Sequence, residues 1–430
     1  MNIVIFEDFR VEQFAPLTSA RPAFAISMAG TTLLDALRRL EPRAAISWIV
    51  REQMREIAEA RHADNRPPAP LPKKSEPALF LNALAIPRLS ALRGFLEKAR
   101  RGESFCVGSR GDAEPRLATT FFPRLPFALE GEKRGKIEGQ LLSGTFQDNE
   151  NLNLPLLRLP HEMISAHATL LRENLEELVR LPPLDGEAPW SPLDGHPGVW
   201  ARGKVSIHPS AVVEGDGDRG PILLDAGAEI GPLAYVRGPL FVGVETRIAE
   251  QAAVKGNTQI GKHCRVGGEV HSSVMEAFSN KAHHGFLGHS WVGSWVNLGA
   301  GTSNSNLKNT YGEIRVDYGG ESVGTGVQFF GCLIGDFSKA AINTSIFTGK
   351  MVGPCSCLYG FVTANVPSFC NYARTFGQVA EFPLEAALIA QKRMFARRGV
   401  QQTEADRSLL RHLWENARKE RSLPEERLSL

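Results

Sequence analysis

Aliphatic residues fall at every sixth position from Leu224 to Val266: Leu224, Ile230, Val236, Val242, Ile248, Val254, Ile260 and Val266. The register returns with Val292 and Leu298, then with Ile334, Ala340, Ile346, Val352 and Leu358. Gly231, Gly243 and Gly261 directly follow three of these positions, and Ala228, Ala234 and Ala252 lie in the same turns. Self-similarity at a short fixed period predicts a solenoid. A six-residue repeat has room for one short strand and one tight turn. The inward aliphatic residue of each coil then stacks on its counterpart in the next. A β-sandwich has turns at varied spacings of roughly eight to twelve residues, which this register does not match. Two segments, roughly 267–285 and 302–328, break the register. They are expected to be insertions that leave the stack, where solenoids place their function.

The first half follows a different pattern. Ile3–Phe6, Ala45–Val50, Ala78–Leu84 and Ser104–Val107 read as strands. Leu33–Leu40, Arg51–Arg61 and Leu89–Ala99 read as helices. This alternation predicts an α/β layer. Ile164, Ala168, Leu171, Leu175 and Leu178 share one face of an amphipathic helix. The proline- and glycine-rich stretch that follows reads as a linker. Leu384–Arg397 and Thr403–Arg421 read as helices, the second opened by a Thr403/Asp406 capping box. They are expected to cap the open end of the solenoid or to meet a neighbouring subunit. The expected division is an α/β domain over 1–182, a linker over 183–204, the solenoid over 205–364, and a C-terminal loop and helices over 365–430.

Composition narrows the class. The chain has 430 residues, 43% of them apolar and 22% charged, with 41 glycines concentrated in the repeat half. That is globular, and long enough for two domains. A net charge of +2 argues against a general nucleic-acid binder and supplies no field toward a membrane. The six cysteines are scattered, and Cys355 and Cys357 are too close in sequence for an ordinary disulfide or zinc pair. All six are expected to be reduced, in a cytoplasmic protein. The opening MNIVIFEDF lacks a basic segment and does not read as a signal peptide. No apolar run is long enough to span a bilayer.

The densest chemistry lies between Asn280 and Asn309, NKAHHGFLGHSWVGSWVNLGAGTSNSNLKN. Three histidines, two lysines and several asparagines occur among glycines that let the backbone approach a ligand. The segments GGEV (Gly267–Val270), NKAHHGFLGHS (Asn280–Ser290) and LGAGTSNSNLKNTYG (Leu298–Gly312) resemble the acetyltransferase half of the bifunctional bacterial enzymes that make UDP-N-acetylglucosamine. They are more similar still to an alternative bacterial branch of that family. The resemblance covers roughly Ile207–Gly360. It implies a left-handed parallel β-helix, trimers with sites between subunits, and acetyl transfer from acetyl-CoA to glucosamine 1-phosphate. It places the general base at His283, with His284 as the alternative. It implies Arg237 for the sugar phosphate, and Asn297 and Asn306 for the sugar. Glu269 would accept from sugar hydroxyls, and Lys281 would touch substrate or tune the histidine. Phe286 stands where the family often has tyrosine, keeping a stacking face without the hydroxyl. Lys308 lies two or three residues from a family lysine. The acetyl donor is expected along Ala340–Lys350.

The N-terminal segment PLTSARP…AG resembles the sugar-nucleotidyltransferase signature in Pro16-Leu17-Thr18, Arg21-Pro22 and Ala29-Gly30. It departs from it in two ways: Phe6–Ala15 has no glycine to cradle phosphate, and Ala23 replaces the lysine. Arg21 is expected to carry the triphosphate charge, and Asn82 to stand at the usual position of the magnesium-binding aspartate. Transfer from UTP with Mg2+ and a purely structural or regulatory domain are both open. Two other functions compete. One is a γ-carbonic-anhydrase-like metal enzyme, with His284, His289 and a third ligand, either His271 or one across an interface. The other is a non-catalytic module that senses nucleotide sugars.

Overall fold

The computed structural model describes residues 1–62, 67–108, 116–129, 134–142 and 154–418. Contacts divide the chain into two units. One comprises Met1–Phe14, Arg21–Pro160 and Arg180–Glu187; the other comprises Ala15–Ala20, His161–Val179 and the chain from Ala188 onward. No helix among the described residues is long and apolar enough to cross a membrane.

The first unit is the expected α/β layer. Strands β1 (Asn2–Phe6), β2 (Ala45–Ile49), β3 (Ala78–Asn82), β4 (Phe105–Gly108) and β5 (Leu117–Phe122) form one sheet in the order β2-β1-β3-β5-β4. β1 lies parallel to β2 and β3, whereas β5 runs antiparallel to both β3 and β4. Helices α1 (Leu33–Leu40), α2 (Arg55–His62), α3 (Leu89–Arg100) and α4 (Arg134–Leu142) accompany it. Thr32 caps α1 by accepting from Asp35 N at 3.0 Å. β5 has no counterpart in the sequence expectation. Its first five residues are all buried, and the hydroxyls of Thr119 and Thr120 are absorbed by the carbonyls of Phe80 and Phe105. A strand buried on both faces lacks the alternation that would reveal it.

The second unit is a parallel β-helix of hexapeptide repeats with three faces. One sheet collects Val199–Ala201, Ile222–Leu224, Leu240–Val242 and their successors up to Lys350–Val352. A second runs from Ser206–Ile207 to Cys370–Ala373. The third runs from Val212–Glu214 to Phe286–Gly288 and continues through Ser303–Asn304 to Phe361–Val362. The eight residues of the Leu224–Val266 register are at most 2% exposed and form one continuous core. Burying each contributes roughly 1.5–3 kcal/mol.

The first register break is not an insertion. Fifteen residues separate the paired Val266 and Lys281, whereas eighteen separate the paired Ile248 and Val266. The coil is shortened at its corners. The second break is a true excursion between Asn304 and Ile334, and it carries the hairpin Arg315–Tyr318/Glu321–Gly324.

The expected boundaries shift. Val199 pairs with Ile222 and is 1% exposed, so the array begins inside the expected linker. It extends past 364, because Leu358 pairs with Tyr372. Helix α5 (Glu162–Leu178), expected in the N-terminal domain, belongs to the solenoid unit. The fully buried His167 donates from Nε2 to the Asn257 carbonyl at 3.1 Å, and Arg172 reaches the Gly217 carbonyl at 2.8 Å.

The C-terminal helices α6 (Leu384–Ala396) and α7 (Glu404–Asn416) lie on the flank of the solenoid rather than over its end. Phe395 packs at 4.4 Å on Trp295, which stacks on Phe278 at 4.2 Å. Arg398 bonds Asn280 at 2.6 Å. The expected Thr403/Asp406 capping box is present.

His167 sets a pH dependence. Burial pushes its pKa down to about 4, below the ordinary value of about 6.5 in an unfolded chain. The unfolded chain therefore takes up the proton first. Stability from this site is complete above pH ~6.5 and is lost as pH falls toward 4, by about 1.4 kcal/mol per pH unit. His167→Asn is expected to flatten that acid slope when urea midpoints are compared between pH 7 and pH 5. Equal slopes in both proteins would contradict it.

Candidate active site

Two polar residues interrupt the inward aliphatic columns, and both lie in the motif. The first is Lys281, the register partner of Val266 and 2% exposed. Its Nζ donates to the carbonyls of Gly267 (2.8 Å), Gly285 (2.7 Å) and His283 (3.2 Å). Burial pushes its pKa down to about 8, with Glu269 opposing. Lys281 therefore does not face a substrate, contrary to the sequence expectation. It holds the backbone of the His283 loop from inside. A Cβ on Gly268 would lie 2.9 Å from this Nζ, so glycine is needed there. The second is Asn304, 5% exposed, which binds Gly288 through both its N–H (2.9 Å) and its carbonyl (3.0 Å).

The loop over this lysine presents His283 and His284 to solvent. His283 has no side-chain hydrogen-bond partner among the described residues. His284 leans on the next coil, where a Cβ on Gly301 would lie 3.3 Å from its Nε2. Its carbonyl accepts from Gly301 N at 3.0 Å.

The adjoining third face carries most of the remaining residues. Glu269 pairs in register with Phe286, and its carboxylate accepts from Lys255 at 2.5 Å. The Phe286 ring lies over Gly288, where a Cβ would meet it at 2.4 Å and the Asn306 amide at 2.8 Å. Asn306 Nδ2 lies 2.8 Å from His289 Nδ1. The amide donates, so the neutral imidazole keeps its proton on Nε2. Burial, reinforced by neighbouring His271, pushes His289 down to about 4. Phe329 stacks on His289 at 5.4 Å, and His271 meets it edge-on at 5.2 Å. Burial also lowers His271, with Lys255 adding to it. Arg237 stands exposed on the same face, in register with Glu214.

Three expectations do not join this group within one chain. Asn297 is exposed on the second face, paired with Asn280 and Lys339. Lys308 donates to the Glu313 carbonyl inside the excursion. The three histidines of the metal reading do not assemble, because His284 sits at a different corner from His271 and His289. Among the described residues no three His, Cys, Asp or Glu side chains form a metal-binding group. Lys255 and Asn304 were missed in the sequence. Lys255 lies one full coil, 18 residues, after Arg237, and that spacing was the available signal.

In the first unit, charged groups are buried where the parallel strands end. Asp8 Oδ2 accepts from Arg116 Nε (2.9 Å), Arg116 Nη2 (2.7 Å) and Asn82 Nδ2 (2.9 Å). Asn82 also donates to the Leu117 carbonyl (3.0 Å) and accepts from Leu84 N (2.9 Å). Its amide is consumed by the fold, so Asn82 and Asp8 do not fit a magnesium ion. Glu7 accepts from the main chain and side chain of Arg51 and from Ala23 N. Arg21 is 8% exposed, and its carbonyl accepts from Arg51 at 3.1 Å. Arg116→Ala would leave Asp8 buried and unpaired. It is expected to lower stability by about 3 kcal/mol or more, read as a fall in the urea midpoint; an unchanged midpoint would contradict the pairing. A cavity of about 850 Å3 opens beside β2, with Arg51, Arg55 and Arg134 in its wall.

Residues 3–180 match a family model described as "Sugar nucleotidyl transferase". The bifunctional protein GlmU of Trichodesmium erythraeum is 33% identical over 115 residues, covering 26% of this chain and 21% of that protein. A bifunctional sugar-1-phosphate nucleotidylyltransferase/acetyltransferase of Sulfurisphaera tokodaii is 26% identical over 149 residues, covering 34% of this chain and 37% of its own length. The chain thus spans well under half the length of these curated relatives. A Francisella novicida UDP-N-acetylglucosamine acyltransferase structure aligns at 13% identity with a TM-score of 0.21, covering 45% of this chain and 74% of that one. By family, residues 3–180 thus match the sugar nucleotidyl transferases, and the chain is similar to bifunctional nucleotidylyltransferase/acetyltransferases.

Proposed function

We propose that the solenoid unit transfers the acetyl group of acetyl-CoA to the amine of an amino sugar 1-phosphate, and that His283 is the general base. One observation carries this reading: an exposed imidazole, without a side-chain hydrogen bond among the described residues, stands on a loop anchored from below by a buried lysine. The attacking amine must lose a proton as its nitrogen bonds to the thioester carbonyl carbon. An imidazole performs that step near neutral pH. The C–S bond then breaks, and the coenzyme A thiolate takes up a proton. Glu269, Phe286 and Asn306 would line the sugar, and Arg237 would meet its phosphate. The donor would lie along Ala340–Lys350. Glucosamine 1-phosphate is the acceptor that the resemblance implies, in a cytoplasmic homotrimer.

The family match over residues 3–180 favours a second activity, transfer of a nucleotidyl group from UTP to the acetylated sugar phosphate. The cavity beside β2 is of a size that takes a nucleotide, and its arginines would face the phosphates.

Free-thiol release from acetyl-CoA with purified protein and glucosamine 1-phosphate tests the first reading. Pyrophosphate release after UTP and Mg2+ are added tests the second. No thiol release with any amino sugar 1-phosphate would sink the acetyltransferase reading.

A further inference from the structure

A groove of about 590 Å3 runs between helix α5 and the solenoid corner that follows the third face. We propose that Arg172 of α5 and Arg237 of the solenoid are the two guanidinium arms of a phosphomonoester site, so that the helix supplies half of the pocket for the acceptor's phosphate. This rests on the reading of the solenoid as an enzyme of sugar 1-phosphates.

Both arginines line the groove, together with Lys255, His271 and Asp218. Their charges are not equally available. Lys255 is tied to Glu269 at 2.5 Å, and Asp218 offsets part of what remains. The Arg237 side chain has no hydrogen-bond partner among the described residues. Arg172 is already oriented: Nε binds Glu176 at 3.0 Å and Nη2 binds the Gly217 carbonyl at 2.8 Å. Its Nη1 has no partner among the described residues. The unpaired Arg237 guanidinium and the free Nη1 edge of the ion-paired Arg172 line one cavity, and together they match a phosphomonoester dianion, which accepts charge-assisted hydrogen bonds from several directions.

The helix holds Arg172 in place. Buried His167 bonds the carbonyl of Asn257, itself a lining residue of the groove. Ala168, Thr169 and Arg172 follow on the groove side, as residues three and four apart on a helix do. At the other end of the groove stands His271, whose pKa is lowered by burial and by neighbouring Lys255.

The test is calorimetric titration of the full chain with glucose 1-phosphate, which carries the phosphate but no amine to acetylate. The wild-type protein is expected to bind it and to ignore glucose. Arg172→Gln and Arg237→Gln are each expected to weaken binding about 10- to 100-fold, and Arg172→Lys less than Arg172→Gln. Thr169→Glu, which sets a carboxylate in the same wall, is expected to abolish binding and guards against a folding defect at Arg172. Undiminished binding by Arg172→Gln or Thr169→Glu, or no binding by the wild type, would overturn the site. Binding without acetyl transfer to glucosamine 1-phosphate would instead sink the catalytic reading and leave the site standing.

Discussion

His283→Ala is expected to slow acetyl transfer to glucosamine 1-phosphate by about two to four orders of magnitude. The side chain is exposed and makes no hydrogen bond among the described residues, so its removal leaves nothing buried unpaired. The loss should therefore fall on kcat with the thermal midpoint unchanged. His284→Ala provides the contrast. That ring packs on Gly301 of the next coil, and its loss is expected to cost less activity and some stability. The reverse order would move the base to His284. Steady-state kinetics of the two variants decide the matter.

Lys281→Met is expected to be the most damaging substitution that touches no ligand. Methionine fills the column slot but leaves the Gly267, His283 and Gly285 carbonyls without their donor. Each such orphan costs about 1–3 kcal/mol, so a loss of several kcal/mol of stability is expected. A loop displaced by about 1 Å can cost about 100-fold in rate. Hydrogen exchange across 282–286 should accelerate along with the loss of activity. A variant as active and as protected as the wild type would show that the lysine does not position the loop.

The inward columns of the solenoid were legible because an inward aliphatic residue recurs every six residues, three to each 18-residue coil. The outward residues carry no such signal. Lys281 illustrates the limit. Placed on an insertion it reads as a substrate cation; only when the coil is known to be three residues short does it fall into the column of Ile248 and Val266. The motif residues Glu269, Phe286 and Asn306 were found by resemblance, and the structure gathers them on one face. Helix α5 was visible as an amphipathic repeat, but an apolar stripe does not name its partner. Asn82 shows the same gap in the first unit. Its position after β3 suggested a ligand, but the arginine that claims Asp8 comes from β5's entry, 34 residues downstream.

The coils also make the third face a ruler. Arg237, Lys255, His271 and Gly288 occupy successive rungs, since each strand pairs with the next. Neighbouring rungs are about 4.8 Å apart. The separation between Arg237, the proposed phosphate arm, and the rung beside the histidine loop is therefore quantised, and it changes only by whole coils. Adding or deleting eighteen residues between Arg237 and Val266 would keep the inward register of the remaining coils while lengthening or shortening that gauge by one notch. On the proposed reading, acceptors of different reach would be matched by counting coils, with no redesign of the groups at either end.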